Sequence, residues 1–218
     1  SDLNGEFAMS VSYIEFLVEE PSMEAVLQAL LPRLLGAIPF EIRTFQCKAD
    51  LLKRLPDRLR GYAWFPQDYR IVVLVDRDND DCQELKQILE QHAHQAGLPT
   101  RSQARRGYWI VINRLAIEEL EAWYFGDWNA VQAAYPRVPK TVPGRARYRD
   151  PDAIAGGTWE AFERILQRAG YFEGGLRKTE AARRIAPLLD PACNRSHSFQ
   201  VFQSVLAEMV GHGIAQER

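Results

Sequence analysis

The sequence predicts an α/β protein: a largely parallel sheet flanked by helices, followed by a helical C-terminal extension. Three observations carry this. Over about the first 130 residues, β-branched and apolar runs alternate with stretches of helical spacing, the order that builds parallel sheets. The run YRIVVLVD (69–76) is apolar on both faces, as a central strand of such a sheet is. Beyond residue 135 the strand pattern stops while helical stretches continue.

The elements follow in order. Residues 11–18, VSYIEFLV, are rich in β-branched and aromatic side chains and read as the first strand. After the turn EEPS, MEAVLQALLPRLLG has apolar residues at helical spacing, with Gly36 as its stop. FEIRTF (40–45) alternates as a second strand, and 49–60 forms a short amphipathic helix. Strand three spans 69–76, and a helix over 82–96 ends at Gly97. YWIVIN (108–113) is a further strand and IEELEAWYF (117–125) a further helix. Residues 136–149, PRVPKTVPGRARYR, combine prolines and basic residues without an acid and read as an extended basic loop. Helical stretches follow near 158–169, 178–189 and 198–210.

This divides the chain into three parts. Residues 1–8, SDLNGEFA, precede Met9 and read as an expression-tag remnant. Residues 9–135 form the α/β core, and 136–218 a basic loop and helical region packed on it. The composition, 46% hydrophobic and 26% charged with a net charge of −2, is that of a globular protein without an overall basic bias. Nucleic-acid binding would therefore depend on local patches. No run approaches a membrane span. Cys47, Cys82 and Cys193 are scattered, odd in number and without a CxxC pair, which fits free thiols in a reducing cytoplasm. No Walker A motif is present.

The informative stretch is IVVLVDRDNDD (71–81), where an apolar strand runs into four aspartates. Ligands of open parallel sheets bind beyond the carboxyl ends of the strands. Glu19 and Glu20 end strand one, and Asp76, Asp78 and Asp80 end strand three. If those strands are neighbours the carboxylates converge, repel one another, and are relieved by a hard divalent cation. An oxygen-only set suits Mg²⁺ or Mn²⁺. The competing reading is a solvated turn in which Asp80 or Asp81 caps the helix from Cys82. It accounts for Asp80 and Asp81 better than for Asp76 and Asp78. An EF-hand counted from Asp76 fails, with Asp81 at its sixth position and Gln87 at its twelfth. A haloacid-dehalogenase-type phosphatase fits poorly, because Asp80 is the fifth residue and the strand is third. In AIEELEAW (116–123), Glu118 and Glu121 share a helix face while Glu119 points elsewhere. They are either a third acidic element of the same edge or an ordinary exposed face.

Phosphate contacts could come from Arg137, Lys140, Arg145, Arg147 and Arg149, with Tyr148 for stacking, unless this is simply a solvated loop. Arg101, Arg105 and Arg106 form a smaller patch. The four histidines lack metal-ligand spacing, and Trp109, Trp123, Trp128 and Trp159 read as core.

A strand ending in Glu, a helix, and a later strand ending in DxD, here FLVEEPSMEAVL with VLVDRDNDD, resembles the Toprim pattern. Toprim domains occur in primases, type II topoisomerases and the overcoming-lysogenization-defect nucleases. Their first motif is similar to VEGxT. Here Glu19 is in place, Glu20 stands where the family commonly has Gly, and Ser22 where it often has Thr. From Met9 to about residue 210 the chain more closely resembles the Toprim-like family DUF4276, on VEEPSMEAVL, LVDRDNDD, AIEELEAW and KTEAARRIAPLLD with NRSHSF. The resemblance implies a Toprim/Rossmann-like fold and a nuclease, acting on nucleic acid such as DNA with two Mg²⁺ or Mn²⁺ ions. It also implies an AAA-type or ABC-type ATPase partner in a bacterial phage-defence module. On that reading Asp76 and Asp78 hold one ion with Glu121 in support. Glu19 holds the second or acts as general base, with Glu20 or Glu118 beside it and Asp80 in the same acidic set. Lys178 stabilises transition-state charge, or is a surface lysine at a helix start. Arg195, with Ser196 and Ser198, orients phosphate, or Ser198 caps the last helix. Two other functions stay open: a non-catalytic or regulatory partner of an ATPase, and a small-molecule phosphohydrolase. Homo-oligomerisation is open as well.

Overall fold

In the computed structural model, four strands lie parallel in the order β2–β1–β3–β4. Residues 10–76, 81–104, 108–116 and 120–214 are described. The strands are β1 (Tyr13–Val18), β2 (Phe40–Thr44), β3 (Tyr69–Asp76) and β4 (Val111–Ala116). Helices α1 (Pro21–Leu35), α2 (Lys48–Gly61) and α3 (Cys82–Gln95) make the crossovers. From β1 the chain steps outward to β2, then back across to β3 and on to β4. Right-handed crossovers then place α1 on one face and α2 with α3 on the other. The alternation of β3 fits this. Val72 and Leu74 belong with α1, whereas Ile71, Val73 and Val75 pack with Leu51, Leu55 and Leu59 of α2 and Leu85, Leu89 and Ala93 of α3.

The α1 face carries the rest of the chain: α4 (Glu121–Gly126), α5 (Trp128–Ala134), α6 (Thr158–Arg168), α7 (Lys178–Ile185) and α8 (His197–Ile214). Phe162, Ile185, Phe199 and Phe202 share one core with Ile14 and Phe16 of β1. Each such side chain withdrawn from water contributes about 1.5–3 kcal/mol before its ordering entropy is counted. The last layer is tied down by specific contacts as well. Arg33 of α1 donates to the Leu189 carbonyl at 2.7 Å, and Trp123 of α4 stacks on Phe202 of α8, centroids 5.2 Å apart.

Four elements differ from the sequence reading. Strand four begins at Val111 rather than Tyr108, because its register follows β3, Ile71 to Val111 through Asp76 to Ala116. Trp109 instead lies under the Arg70 guanidinium at 4.9 Å. Helix α5 was not expected; it is short, and Asp127 caps it by accepting from the Ala130 amide at 3.3 Å. The basic loop is not extended, but holds two 3-10 turns, Val142–Gly144 and Ala146–Tyr148, each pinned by a buried residue. The helix expected over 178–189 ends at Ile185, and Pro187 sits in a 3-10 turn beyond it. Asp81 does cap α3, accepting from Gln83 and Glu84 amides.

Candidate metal centre at the carboxyl edge of the sheet

Because β1 and β3 are neighbours while the chain leaves them in opposite directions, the crevice between their carboxyl ends is the switch point where open α/β sheets take ligands. Glu19 and Asp76 meet there. The Asp76 amide donates to Glu19 Oε2 at 3.0 Å. The pairing of β1 with β3 ends at Val18 opposite Leu74, and the Glu19 carboxylate takes the next amide along β3, as a strand carbonyl would. Asp76 is 7% exposed and, by strand alternation, shares the α1 face with Val72 and Leu74. Glu20 is the N-cap residue of α1 and accepts from the Ser22 hydroxyl.

Helix α4 brings the third acid. Glu121 opens it and is 1% exposed. Lys178, the first residue of α7, holds its Nζ 3.9 Å from Glu121 Oε1 and 5.2 Å from the centre of the Trp159 ring. One turn after Glu121, Tyr124 is fully buried. Burial, then the charges of Glu121 and Glu20, Tyr135 and the charge of Asp76, push its hydroxyl well above its ordinary pKa. Carboxylates from β1's end, β3's end and α4 therefore bear on one buried oxygen.

Among the described residues, no group of three or more His, Cys, Asp and Glu side chains stands close enough to hold an ion. Asp78, Asp80 and Glu118 lie outside the described residues. Glu19, Asp76 and Glu121 offer oxygen donors only; Asp76 and Glu121 are buried, and Lys178 lies against Glu121. Oxygen donors are the type a hard divalent cation takes, and such an ion would lower the repulsion that buried carboxylates impose on one another.

The basic residues do not gather in the same way. Arg137 donates to the Gly170 carbonyl at 2.8 Å and lies 4.3 Å over the Tyr171 ring. Arg145 reaches Thr141 at 3.4 Å and Arg147 the Ala155 carbonyl at 3.5 Å. Lys140, Arg149 and Arg195 are exposed. Tyr148 is not available for stacking on a base: it is buried, its ring 5.3 Å from Phe125 and nearly parallel to it. Ser196 and Ser198 are also built into the fold. Asp152 accepts from the Ser196 hydroxyl at 3.0 Å, the His197 amide at 2.6 Å and the Ser198 amide at 3.3 Å, closing the start of α8. Ser198 Oγ also accepts from Trp123 Nε1 at 3.1 Å.

Sequence reasoning missed Tyr124 and Asp152, and it read Trp159 as core where the structure leaves it half-buried beside Lys178. For Tyr124 a signal existed, since it stands three residues from Glu121 on a predicted helix. Nothing local marks Asp152, whose partners are 44 to 46 residues away.

Fold and site together define an open parallel α/β protein with an acidic crevice at its switch point. Residues 18–209 match the family described as Domain of unknown function (DUF4276), and the chain belongs to it. No curated protein matches the sequence. Among solved structures the chain is similar to the "C-terminal region of the Burkholderia pseudomallei OLD protein", with 17% identity over 91% of this chain and 100% of that one and a TM-score of 0.41. A likeness that loose carries no functional weight.

Proposed function

We propose that the chain is a Mg²⁺- or Mn²⁺-dependent nuclease that hydrolyses phosphodiester bonds at the crevice between β1 and β3. The observation that carries this reading is the direct Glu19–Asp76 contact at the switch point, with buried Glu121 of α4, whose charge acts with those of Glu20 and Asp76 on the Tyr124 hydroxyl. Two divalent ions would supply Lewis-acid stabilisation of the attacking and leaving oxygens. Asp76 and Asp78 would hold one, with Glu121 in support. Glu19 would hold the other or take the proton of the attacking water, and Glu20, Asp80 and Glu118 would complete the acidic set. Lys178 places a positive charge beside the site, where it stabilises the extra negative charge of the transition state. The substrate strand lies along the exposed basic residues Lys140, Arg149 and Arg195, with Arg137, Arg145 and Arg147 nearby in sequence. The family resemblance supplies DNA as substrate, an AAA-type or ABC-type ATPase as partner, and phage defence as setting.

The test is cleavage of supercoiled plasmid with Mg²⁺ or Mn²⁺, wild type against Asp76→Ala/Asp78→Ala. Metal-dependent nicking that disappears in the double variant supports the reading. Wild-type metal binding without cleavage would replace it with the non-catalytic, ATPase-regulating role. Cleavage that survives both substitutions would remove the aspartates from the mechanism.

A further inference from the structure

Tyr124 is 1% exposed, and its hydroxyl has no hydrogen-bond partner among the described residues. Leaving a buried hydroxyl in that state costs about 1–3 kcal/mol, so packing alone does not explain a tyrosine here. The ring packs on Phe162, centroids 5.3 Å apart, and a phenylalanine would do the same. The hydroxyl lies one turn past Glu121 on the same side of α4, which packs on the face of the sheet to which Asp76 points. The charges of Glu121, Glu20 and Asp76 all act on it. It is a buried donor without a partner among the described residues, on the side of α4 that carries Glu121.

We propose that the Tyr124 hydroxyl is a positioning group of the metal site, donating a hydrogen bond to one of the oxygen ligands of the bound divalent cation. This rests on the reading of the acidic crevice as a metal centre and adds a residue from outside the carboxylate set. A donor of this kind fixes the orientation of a ligand oxygen, and removing such outer partners typically weakens metal binding about 10–100-fold.

Tyr135 provides the comparison. Its hydroxyl is also buried and without a partner among the described residues, but its ring lies 4.6 Å beneath the Arg184 guanidinium and against Tyr171 and Phe172, and the charges that act on it are those of Arg184, Glu180 and Arg177 rather than Glu121, Glu20 or Asp76.

The experiment is Mn²⁺ titration by calorimetry of the full chain, with a thermal melt in EDTA, for wild type, Tyr124→Phe and Tyr135→Phe. Tyr124→Phe is expected to raise the Mn²⁺ Kd about tenfold while its Tm in EDTA stays level or rises. Tyr135→Phe is expected to bind Mn²⁺ as wild type does. An unchanged Kd in Tyr124→Phe overturns the proposal. So does a lower Tm in EDTA, which would mean that the hydroxyl serves the fold through a buried water. Equal weakening by Tyr135→Phe overturns it too, since the effect would then be general to the core. A wild-type chain that binds no Mn²⁺ overturns the metal centre itself, a separate result from the loss of this one contact.

Discussion

Glu19 Oε2 accepts the Asp76 amide at 3.0 Å, so one of the two acids at the switch point is held by the backbone of the other. The carboxylate has two separable duties, continuing the strand ladder and lending negative charge to the crevice. In Glu19→Gln the side-chain carbonyl can still accept the amide, while the charge is gone. In Glu19→Ala both are gone. Glu19→Gln should therefore melt like wild type in EDTA, or slightly higher because like charges are thinned, and should lose Mn²⁺-dependent stabilisation. Glu19→Ala should lose that stabilisation and also about 1 kcal/mol of folding free energy. Melts with and without Mn²⁺ separate the two, and equal EDTA melting of both variants would mean that the amide contact contributes nothing.

Gly126 has a requirement of its own. A Cβ there would fall 2.0 Å from Asn194 Oδ1 and 2.8 Å from the Ser196 amide nitrogen. The Asn194 side chain donates to the Trp123 carbonyl at 2.9 Å and accepts from the Ser196 amide at 3.0 Å, so it cannot retreat without losing both bonds. The Ser196 nitrogen is backbone and can yield only if the start of α8 moves. Gly126→Ala should cost about 1–3 kcal/mol, the usual range for overpacking, read as a lower urea midpoint at unchanged m. An unchanged midpoint would show that the α4–α8 junction is loose.

The sheet and the acids at its edge were legible because both are local signals. A strand apolar on both faces is central, and carboxylates directly after strands lie at the carboxyl edge of the sheet; hence β1 and β3, and the place of Glu19 and Asp76 at their ends, follow from the sequence. The start of β4 was not, because Tyr108 to Ile110 carry the same β-forming side chains as Val111 and Ile112, and pairing with β3 alone decides between them. Tyr148 was misread for a related reason. An aromatic among arginines looks the same in sequence whether it faces solvent or stacks on Phe125. Ser196 and Ser198 are explained by Asp152, a partner too distant in sequence to be seen.

Glu90 gives the fold a definite acid response. It accepts from the Ser102 and Thr100 hydroxyls at 2.5 Å each and from the Asn113 amide at 2.9 Å. Burial disfavours its charge, but these hydrogen bonds outweigh burial and hold the carboxyl below its ordinary value of 4.5. The folded chain thus takes up this proton at a lower pH than the unfolded chain does. The resulting stability is fully present above the unfolded pKa and is lost as pH falls through the depressed folded value. Glu90→Gln should be less stable than wild type by roughly 1–2 kcal/mol at neutral pH, since its hydrogen bonds are no longer charge-assisted. Urea midpoints taken down through pH 4 should converge. A gap that stays constant with pH would show that the charge of Glu90 is not what the three donors stabilise.

Lys178 stands 3.9 Å from the buried carboxylate of Glu121 and over the Trp159 ring, which sets two of its effects against each other. Beside Glu121, it would compete with a bound metal ion for the same negative charge. On the proposed function it would also stand beside the reacting phosphate, where a positive charge favours the transition state. Lys178→Met keeps the apolar stem over Trp159 and removes the ammonium. The Mn²⁺ Kd should then fall, because the crevice becomes more negative, while metal-dependent cleavage drops by about 10²–10³-fold, the range for losing one preorganised electrostatic contact. The pair is half-exposed on the lysine side, so the stability change in EDTA should be modest, about 1 kcal/mol. Tighter metal binding with slower cleavage is the diagnostic combination. If both weaken together, Lys178 organises the site through the fold; if cleavage is unchanged while Mn²⁺ binds more tightly, its charge serves Glu121 alone and the transition state finds its positive charge elsewhere.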